Sequence, residues 1–386
     1  MSGGQYYEFF AGGGMARMGL GPQWTPLFAN DCDAKKNAAY RQNWGTEEPL
    51  DSRPVQEVAA SDLPAQADLA WASFPCQDLS LAGGGAGLAG QRSGSFWAFW
   101  DLMQGLRREG RAPRCVVLEN VAGLLTSHRG EDFRALARAL GQGGYRFGTL
   151  LLDALDFLPQ SRPRLFIVGV SESVPIPGSL VRTGPDEHVH PWALQQAYGR
   201  LDEAEQANWL WWNLPSPTER GVDLADVIEA EPTGVKWHSP DETLRLLSMM
   251  DAKHRAKLDA AQTAGKPIVG TIYRRTRIDE ADQRVQRAEV RFDGVAGCLR
   301  TPGGGSSRQT LILVDGESVR TRLLSVREAA RLMGLPDSYQ LPARYNEGYH
   351  LIGDGVAVPV VRHLAAHLLE PLLGITGATP QESISV

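Results

Sequence analysis

The sequence predicts an α/β fold, in which a mostly parallel, Rossmann-like sheet ends in an antiparallel hairpin and a smaller, irregular domain follows. Over the first 170 residues, apolar runs of strand length alternate with glycine-rich or polar turns and helical stretches, as in repeated βαβ units. The last two runs are separated only by LDFLPQSRPR, and this closeness indicates a hairpin. From about residue 175, a Pro-, Trp- and acid-rich composition replaces the alternation and marks a domain boundary.

The elements are predicted in chain order. Strands are expected at residues 6–10, 26–29, 69–73, 116–118, 146–153 and 165–170, a helix at 242–261, and further strands at 270–277 and 310–314. Ser325 and Glu328 have the spacing of a capping box, in which each side chain accepts a hydrogen bond from a free N–H group at a helix start. A last amphipathic helix is expected to begin near Pro359.

Composition narrows the class of protein. Of the 386 residues, 42% are hydrophobic and 22% charged, which is typical of a globular protein. No segment approaches the roughly 20 apolar residues that cross a membrane, and the N-terminus lacks the pattern of a secretory signal, so we expect a cytoplasmic protein without a membrane partner. The four cysteines are scattered without C-x-x-C spacing, which predicts neither a disulfide framework nor a metal site.

The net charge of −6 does not indicate a nucleic-acid partner, but the charge is unevenly distributed. Residues 270–335 contain twelve Arg, no Lys and eight carboxylates, which gives this stretch a charge of +4. Within it, YRRTR (273–277) and LRTPGGGSSRQ (299–309) combine Arg with glycine-rich backbone. Phosphate contacts need clustered cations, so a nucleic-acid surface is one interpretation, and a solvated basic face is the other.

The first candidate site is the glycine-rich segment FFAGGGMARMGLG, residues 9–21, between a predicted strand and a predicted helix. Glycine lets the backbone approach a nucleotide-like ligand, and a helix start offers free N–H groups. Asp31 and Asp62, at the ends of the next strands, could accept hydrogen bonds from ribose hydroxyls and from an adenine amino group. NAD, FAD or a simple tight turn would fit the same residues.

The second candidate is Cys76, which follows a predicted strand and precedes a long glycine-rich, polar stretch. A thiol at a strand end under a flexible loop has the placement of a nucleophile. Most cysteines are instead small buried apolar residues, and this alternative stays open at this point.

Two further segments carry charged side chains. The strand in CVVLENV delivers Glu119 and Asn120 at its carboxyl end, where ligands bind in open α/β sheets. In QSRPR, Arg162 and Arg164 alternate, which predicts that both side chains lie on one face and could bind phosphate or a carbonyl oxygen. A helix-capping acid and surface arginines at a hairpin tip would give the same pattern.

In this order the segments resemble the signature blocks of the cytosine-C5 DNA methyltransferase family. The early blocks are matched by FAGGG, by PCQ (75–77), by ENV (119–121) and by QSRPR (160–164), and the late ones by RLLSVREAARLMGLPDSY (322–339) and GDGVAVPVV (353–361). The resemblance covers most of the chain apart from roughly residues 175–295. It departs from the family at Asp354, where the last block usually has Asn.

The resemblance implies a class I methyltransferase fold and a reaction. A methyl group would pass from S-adenosylmethionine to C5 of a cytosine flipped out of double-stranded DNA, leaving S-adenosylhomocysteine and using no metal. Cys76 would add to C6, Glu119 would hydrogen-bond N3 and the N4 amino group, and Arg164 would bind O2. Arg162 would help to hold the site and the DNA. Residues 1–178 and 345–386 would form the catalytic and cofactor-binding domain, and residues 179–344 the target-recognition domain.

The resemblance also implies binding residues. For the cofactor these are Phe10, Ala11, Gly12, Gly13, Gly14, Met15, Asp31, Cys32, Asp62, Leu63, Pro75, Asp354, Gly355 and Val356. For DNA they are Gln77, Ser80, Arg92, Ser93, Arg274, Arg275, Arg277, Arg300, Thr301, Gly303, Gly304, Ser306 and Arg308.

The partners implied are double-stranded DNA and a cognate restriction endonuclease that acts separately, with the protein itself a monomer.

Three other functions compete with this interpretation. A nicotinamide oxidoreductase would explain FAGGG but leaves PCQ, ENV and QSRPR without roles. An RNA methyltransferase would share the chemistry, but it usually has a shorter recognition region. A catalytically silent DNA-binding relative is disfavoured because Cys76, Glu119 and Arg164 are all present.

Overall fold

The computed structural model describes residues 3–47, 49–75, 94–279, 282–300 and 308–376. They form two compact units. Unit 1 comprises Met1–Asp153, Pro163–Pro217 and Val356–Ile384, and unit 2 comprises Ala154–Arg162, Thr218–Gly355 and Ser385–Val386. These bounds differ from the predicted domain bounds, because residues 179–217 pack with unit 1, and residues 154–162 and 345–355 pack with unit 2.

The main sheet of unit 1 has seven strands in the order β3-β2-β1-β4-β5-β7-β6. The strands are β1 Gly4–Phe9, β2 Trp24–Asn30, β3 Leu50–Asp51, β4 Leu69–Ala72, β5 Cys115–Val121, β6 Tyr145–Asp153 and β7 Pro163–Ser171. The first five pair in parallel, and β7 runs antiparallel to both β5 and β6. The predicted fold class, a mostly parallel sheet that ends in an antiparallel hairpin, is confirmed.

The central strands consist of apolar runs because both faces of the sheet are covered. All four residues of β4 are buried, as expected for a parallel strand with helices on both sides. The remaining elements of unit 1 are α1 Met15–Leu20, α2 Ala34–Trp44, α3 Ser95–Arg108, α4 Glu131–Gln142, β8 Val181–Arg182, α5 Trp192–Tyr198, α6 Glu203–Ala207, β9 Trp211–Trp212, α12 Val358–Leu364, a π-helical turn Ala365–Leu369 and α13 Glu370–Leu373. Helix α3 buries Phe96, Phe99 and Met103 at helical spacing against the sheet.

Unit 2 contains a four-stranded antiparallel sheet in the order β11-β10-β12-β13. Its elements are α7 Leu224–Val227, α8 Pro240–Ser248, α9 Ala252–Gln262, β10 Ile268–Ile278, β11 Arg284–Arg291, β12 Thr310–Asp315, β13 Ser318–Leu323, α10 Val326–Arg331 and α11 Tyr345–Asp354. The single helix predicted at 242–261 is divided into α8 and α9. Asp251 accepts the His254 N–H at 2.9 Å and so caps the start of the second helix.

The predicted capping box at the start of α10 is confirmed. Ser325 Oγ accepts the Glu328 N–H at 3.0 Å, and Glu328 Oε2 accepts the Ser325 N–H at 2.8 Å. The last helical segment begins at Val358, close to the predicted position, and Pro359 lies in its first turn, where no N–H donor is needed.

The expectation that no segment is long and apolar enough to cross a membrane needs correction. The helical run Tyr345–Leu373 is long and apolar enough to span a membrane, with a mean hydropathy of 1.3 in its most apolar window. However, 72% of that window is buried inside the structure, as in the core helices of many globular proteins. Helix α11 also ends at Asp354 before α12 begins at Val358.

Candidate active site

The sheet topology of unit 1 brings several predicted site segments to one edge. Strands β1, β4 and β5 are parallel neighbours, so their carboxyl ends meet there, and the antiparallel β7 starts there. The Ser73 N–H, just beyond β4, donates to the Phe9 carbonyl at 3.3 Å. The turn after β1, the chain leading to Cys76, the end of β5 and Arg164 therefore share this edge. Cys76 itself lies in residues 76–93, outside the described residues.

Glu119 and Arg164 form an ion pair at this edge. Arg164 Nε lies 3.2 Å from Glu119 Oε1, and the side chains are only 15% and 9% exposed. In the β5–β7 register Glu119 lies opposite Phe166 and Val121 opposite Arg164, so the two charged residues are diagonal neighbours on one face. Because solvent is largely excluded, their attraction is screened less than that of a surface pair.

Asn120 connects the same strand to the chain before Cys76. Its Nδ2 donates to the Phe74 carbonyl at 3.3 Å, and its Oδ1 accepts the Val121 N–H at 2.8 Å. The side chain is 4% exposed. The sequence indicated Asn120 only as a strand-end residue. In the structure its side chain donates to the Phe74 carbonyl and accepts from the Val121 N–H, and so it holds the backbone two residues ahead of Cys76.

The glycine-rich turn after β1 uses left-handed backbone at Phe10, Gly12 and Gly14, whose φ values are 59°, 56° and 78°. A Cβ on Gly14 would lie 2.1 Å from Trp44 Nε1, whereas a Cβ on Gly12 would meet no atom within 4 Å. The turn is thus packed against the end of α2 at Gly14, whereas at Gly12 there is open space beside the backbone. This open backbone is what close approach of a ligand requires.

Asp31 binds the turn directly. Its Oδ2 accepts the Gly12 N–H at 2.9 Å, and its Oδ1 accepts the Asp33 N–H at 2.8 Å. The carboxylate therefore holds the turn beside the start of α2, a structural role that the sequence did not indicate. Cys32, the next residue, is exposed.

Asp62 is the last residue of a 3-10 turn at Ala60–Asp62, and Leu63 follows it. The Asp62 carboxylate accepts the Ala59 N–H at 3.0 Å and pairs with Arg53 at 2.7 Å, and both contacts lower its pKa. Leu63 is 1% exposed and belongs to the core. Pro75 is partly buried.

A buried carboxyl that the sequence analysis missed lies in the middle of β1. Glu8 is 1% exposed, and Oε2 has no hydrogen-bond partner among the described residues. Burial raises its pKa to about 8, against the opposing effect of Arg17. An acid inside the apolar run YYEFF, directly before the glycine turn, was the available signal.

Arg162 does not share the surroundings of Arg164. It precedes β7, belongs to unit 2 and is 2% exposed. Its guanidinium donates to the carbonyls of Leu299 at 2.8 Å, Gly353 at 2.8 Å and Gly355 at 2.6 Å. The expected alternation of Arg162 and Arg164 along one strand face is therefore absent, because the strand begins only at Pro163. Gln160 adds to this anchorage, since its Oε1 accepts the Leu299 N–H at 3.0 Å.

The last segment that was predicted to bind the cofactor, residues 354–356, is divided between the units. Asp354 and Gly355 belong to unit 2, and Val356 belongs to unit 1. Asp354 is exposed. Among the described residues, no group of three or more His, Cys, Asp or Glu side chains could hold a metal ion.

The predicted DNA-binding residues lie in unit 2 or outside the described residues. Arg274, Arg275 and Arg277 are exposed on β10. Arg300 is exposed, and Arg308 donates to Asn346 Oδ1 at 2.5 Å. The residues outside the described ranges are Gln77, Ser80, Arg92, Ser93, Thr301, Gly303, Gly304 and Ser306.

Several arginines of residues 270–335 form ion pairs with carboxylates of the same chain. Arg322 is fully buried and pairs with Glu328 at 2.6 Å, while Arg331 pairs with Asp337 and Arg291 with Asp293. The count of twelve arginines from the sequence therefore overstates the number of cations that a nucleic acid could meet.

A family model described as C-5 cytosine-specific DNA methylase matches residues 4–370. The chain is 25% identical over 368 residues to the Type II methyltransferase M1.ScrFI of Lactococcus lactis subsp. cremoris, covering 95% of this chain and 78% of that protein. It is 26% identical over 356 residues to the Type II methyltransferase M.NgoBI of Neisseria gonorrhoeae, covering 92% and 89%.

Solved structures show the same fold. The Entamoeba histolytica methyltransferase EhMeth matches with a TM-score of 0.63 and 13% identity over 97% of this chain and 99% of that chain. The S. pombe Dnmt2 methyltransferase matches with a TM-score of 0.55 and 19% identity over 95% and 98%.

The fold and the edge bearing Glu119 and Arg164 define an α/β methyltransferase. The family match extends over nearly the whole chain, so the protein belongs to the C-5 cytosine-specific DNA methylase family and is a DNA cytosine-5-methyltransferase. The family implies S-adenosylmethionine as the methyl donor and DNA as the substrate. The residues present fit such a donor, because Gly12 offers open backbone beside the carboxylate of Asp31.

Proposed function

We propose that this enzyme methylates C5 of a cytosine flipped out of a specific double-stranded DNA sequence, through a covalent bond between Cys76 and C6. The observation that carries the proposal is the Glu119–Arg164 pair, held at the sheet edge where β4 leads towards Cys76. A carboxyl and a guanidinium on one strand face match the two polar edges of a cytosine ring, N3 with N4 on one side and O2 on the other.

In the proposed reaction the Cys76 thiolate adds to C6, and the electron pair of the C5–C6 bond becomes available at C5. Glu119 hydrogen-bonds N3 and the N4 amino group, which favours the protonated ring during attack, and Arg164 stabilises the charge at O2. The donor, held at the glycine-rich turn beside Asp31, would supply a sulfonium methyl group to C5, and the electrons of its S–CH3 bond would remain on sulfur in the thioether S-adenosylhomocysteine. A base then removes the C5 proton, and Cys76 leaves as the C5–C6 double bond re-forms.

The remaining residues are assigned by the same proposal. Phe10–Met15, Asp31, Cys32, Asp62, Leu63, Pro75 and Asp354–Val356 bind the donor. Gln77, Ser80, Arg92 and Ser93 contact DNA near the flipped base, and Arg274, Arg275, Arg277, Arg300, Thr301, Gly303, Gly304, Ser306 and Arg308 contact the recognition sequence. Arg162 acts by holding the chain at Leu299 and Gly353 rather than by touching the base.

We further propose that the protein acts as a monomer on DNA in the cytoplasm, without a metal, and that a restriction endonuclease recognising the same sequence is a separate protein. The relatives that are named Type II methyltransferases support this pairing.

The test uses duplex DNA in which cytosine is replaced by 5-fluorocytosine. Because fluorine at C5 cannot leave as a proton, the covalent adduct should accumulate, and mass spectrometry should find it on Cys76. The Cys76→Ala variant should form no adduct and lose several orders of magnitude in turnover while keeping donor binding.

Cys115→Ala is the matched control, because burial in β5 raises the pKa of that thiol to about 12 and leaves it unreactive. It should retain methylation. An adduct on another cysteine, or methylation of RNA alone by the unchanged enzyme, would contradict the proposal.

A further inference from the structure

Most residues that the proposed function assigns to the recognition sequence lie in one stretch of the chain, residues 300–308. The structure describes both ends of this stretch. We call residues 297–299 the entry and residues 308–309 the exit. Both ends belong to unit 2, so their contacts within that unit decide where the stretch is presented to a ligand.

The entry is held by polar side chains from two other segments. The Tyr273 hydroxyl, on β10, donates to the Cys298 carbonyl. The Leu299 N–H donates to Gln160 Oε1 at 3.0 Å, and Arg162 donates to the Leu299 carbonyl at 2.8 Å. Because these backbone groups all bond to side chains of the folded unit, the entry has little freedom to shift.

The exit is held in a similar way by α11 and β10. The Tyr349 hydroxyl, on α11, accepts the Gln309 N–H at 3.1 Å, and both side chains are buried. Gln309 Nε2 donates to the Ile272 carbonyl on β10 at 3.4 Å. Arg308 donates to Asn346 Oδ1, in the first turn of α11, at 2.5 Å. The exit is therefore tied to two elements that are far from it in the chain.

The entry and the exit meet beside Tyr273. A Cβ on Gly297 would lie 2.3 Å from Tyr273 Cε2 and 3.3 Å from Gln309 Oε1. Ile272, whose carbonyl accepts from Gln309, directly precedes Tyr273. Burial raises the pKa of Tyr349 to about 12 and also raises the pKa of Tyr273, so both hydroxyls keep their protons. The two ends of the stretch thus converge on one polar cluster.

Closure at both ends limits the conformations that the stretch can adopt before DNA binds. An end that came loose would gain freedom that must be lost again in the complex. Hydrogen bonds to base edges require a defined backbone position, whereas phosphate contacts carry no sequence information. Loss of the closure should therefore lower sequence discrimination more than it lowers general affinity for DNA.

We propose that Tyr273 and Tyr349 are positioning residues for sequence recognition, whose hydroxyls hold the entry and the exit together, with Gln309 joining the two. This inference rests on the proposed function, because it takes the stretch to contact the recognition sequence. None of the three side chains needs to touch the DNA. The sequence analysis included Tyr273 and Gln309 only within arginine-containing segments, and it did not single out Tyr349.

Deletion of single hydroxyls in the full chain tests the proposal. Tyr273→Phe and Tyr349→Phe each remove one hydrogen bond and keep the aromatic ring. The probes are a duplex that the unchanged enzyme methylates and duplexes that differ from it by one base pair, and the ratio of their kcat/KM values is the discrimination. Each variant should lower this ratio roughly 3- to 10-fold, the effect of one lost buried hydrogen bond. The slope of log K for DNA binding against log salt concentration should not change, because no cation is removed.

Tyr145→Phe is the matched control. The Tyr145 hydroxyl, on β6 of unit 1, donates to the Pro113 carbonyl at 2.8 Å and is equally buried. Its loss should lower the melting temperature by a similar amount and leave the discrimination unchanged. The inference is overturned if Tyr349→Phe reduces the discrimination no more than Tyr145→Phe does.

Hydrogen exchange in the absence of DNA tests the closure itself. The N–H groups of Leu299 and Gln309 should exchange slowly in the unchanged protein, and Tyr349→Phe should accelerate exchange at both. Acceleration at Gln309 alone would show that the two ends are held independently and would contradict the proposal. Fast exchange at both positions in the unchanged protein would do the same, even if a variant did not fold. Failure of the unchanged enzyme to methylate any duplex would instead reject the proposed function.

Discussion

Arg164 and Glu119 meet at 3.2 Å because β7 runs antiparallel to β5 with Arg164 opposite Val121. The two groups proposed to bind opposite edges of the cytosine are thus placed by strand register rather than by a loop. Residues held in this way need little reorganisation when charge develops on the base, which is the condition for strong electrostatic stabilisation.

Glu119→Gln should lower kcat by roughly 10²- to 10³-fold, because the amide cannot favour the protonated ring in the same way. Donor affinity should be unchanged when measured by equilibrium dialysis. The exposed Glu131→Gln on α4 removes the same charge and should retain the original rate. Equal rates for the two variants would remove Glu119 from the chemistry.

Glu8→Gln should make the stability of the protein less dependent on pH. The folded carboxyl has a pKa of about 8 against its ordinary 4.5, so the unfolded chain releases a proton that the folded chain keeps as the pH rises between these values. The unchanged protein should therefore lose stability from pH 5 to pH 8 by about 3 kcal/mol relative to the variant. Urea denaturation at both values measures this, and parallel pH profiles would contradict the raised pKa.

The variants Gly14→Ala and Gly12→Ala should distinguish a glycine that is needed for packing from a glycine that is needed for donor binding. Both place a side chain on left-handed backbone, at a strain of about 1–2 kcal/mol. At Gly14 the new Cβ also collides with Trp44, so this variant should lose more free energy of unfolding. At Gly12 the Cβ points into open space, and the larger effect should be weaker donor binding by calorimetry. Unaltered donor affinity in a folded Gly12→Ala protein would argue against the turn as the donor site.

Arg162→Lys should weaken the anchorage of residues 298–300, since a lysine cannot reach the three carbonyls that the guanidinium bonds. We expect a fall in kcat/KM and in thermal stability. The slope of log K for DNA binding against log salt concentration should not change. A lowered slope would show instead that Arg162 contacts phosphate.

Glu328→Gln should destabilise the protein by roughly 3–5 kcal/mol, because it leaves the guanidinium of Arg322 buried without its counter-charge. Asp337→Asn breaks the more exposed pair with Arg331 and should cost less than about 1 kcal/mol. Urea denaturation of both variants measures the free energy of unfolding. Similar decreases in the two variants would show that the buried pair is no more important for stability than the exposed pair.

Local patterns predicted the strands of the main sheet except β3, because a parallel sheet covered on both sides needs apolar runs such as LAWA at β4. They did not predict the short β8 and β9, nor β11 and β13 of unit 2. The capping box at Ser325 was equally readable, since its hydrogen bonds span only three residues. The same local reasoning missed the break between α8 and α9, where Asp251 caps a second helix within a continuous helical pattern. It also counted Arg322 as a surface cation.

The order of FAGGG, PCQ, ENV and QSRPR by itself determined the family and the class of enzyme, because these segments follow particular strands of the sheet in a fixed order. Only the tertiary structure decided which side chains meet. It paired Glu119 with Arg164, turned Arg162 towards backbone carbonyls in unit 2, and divided the arginines of β10 and β11 between the two faces of the hairpin. Strand register and burial depend on residues far apart in the chain, and local sequence carries no direct record of either.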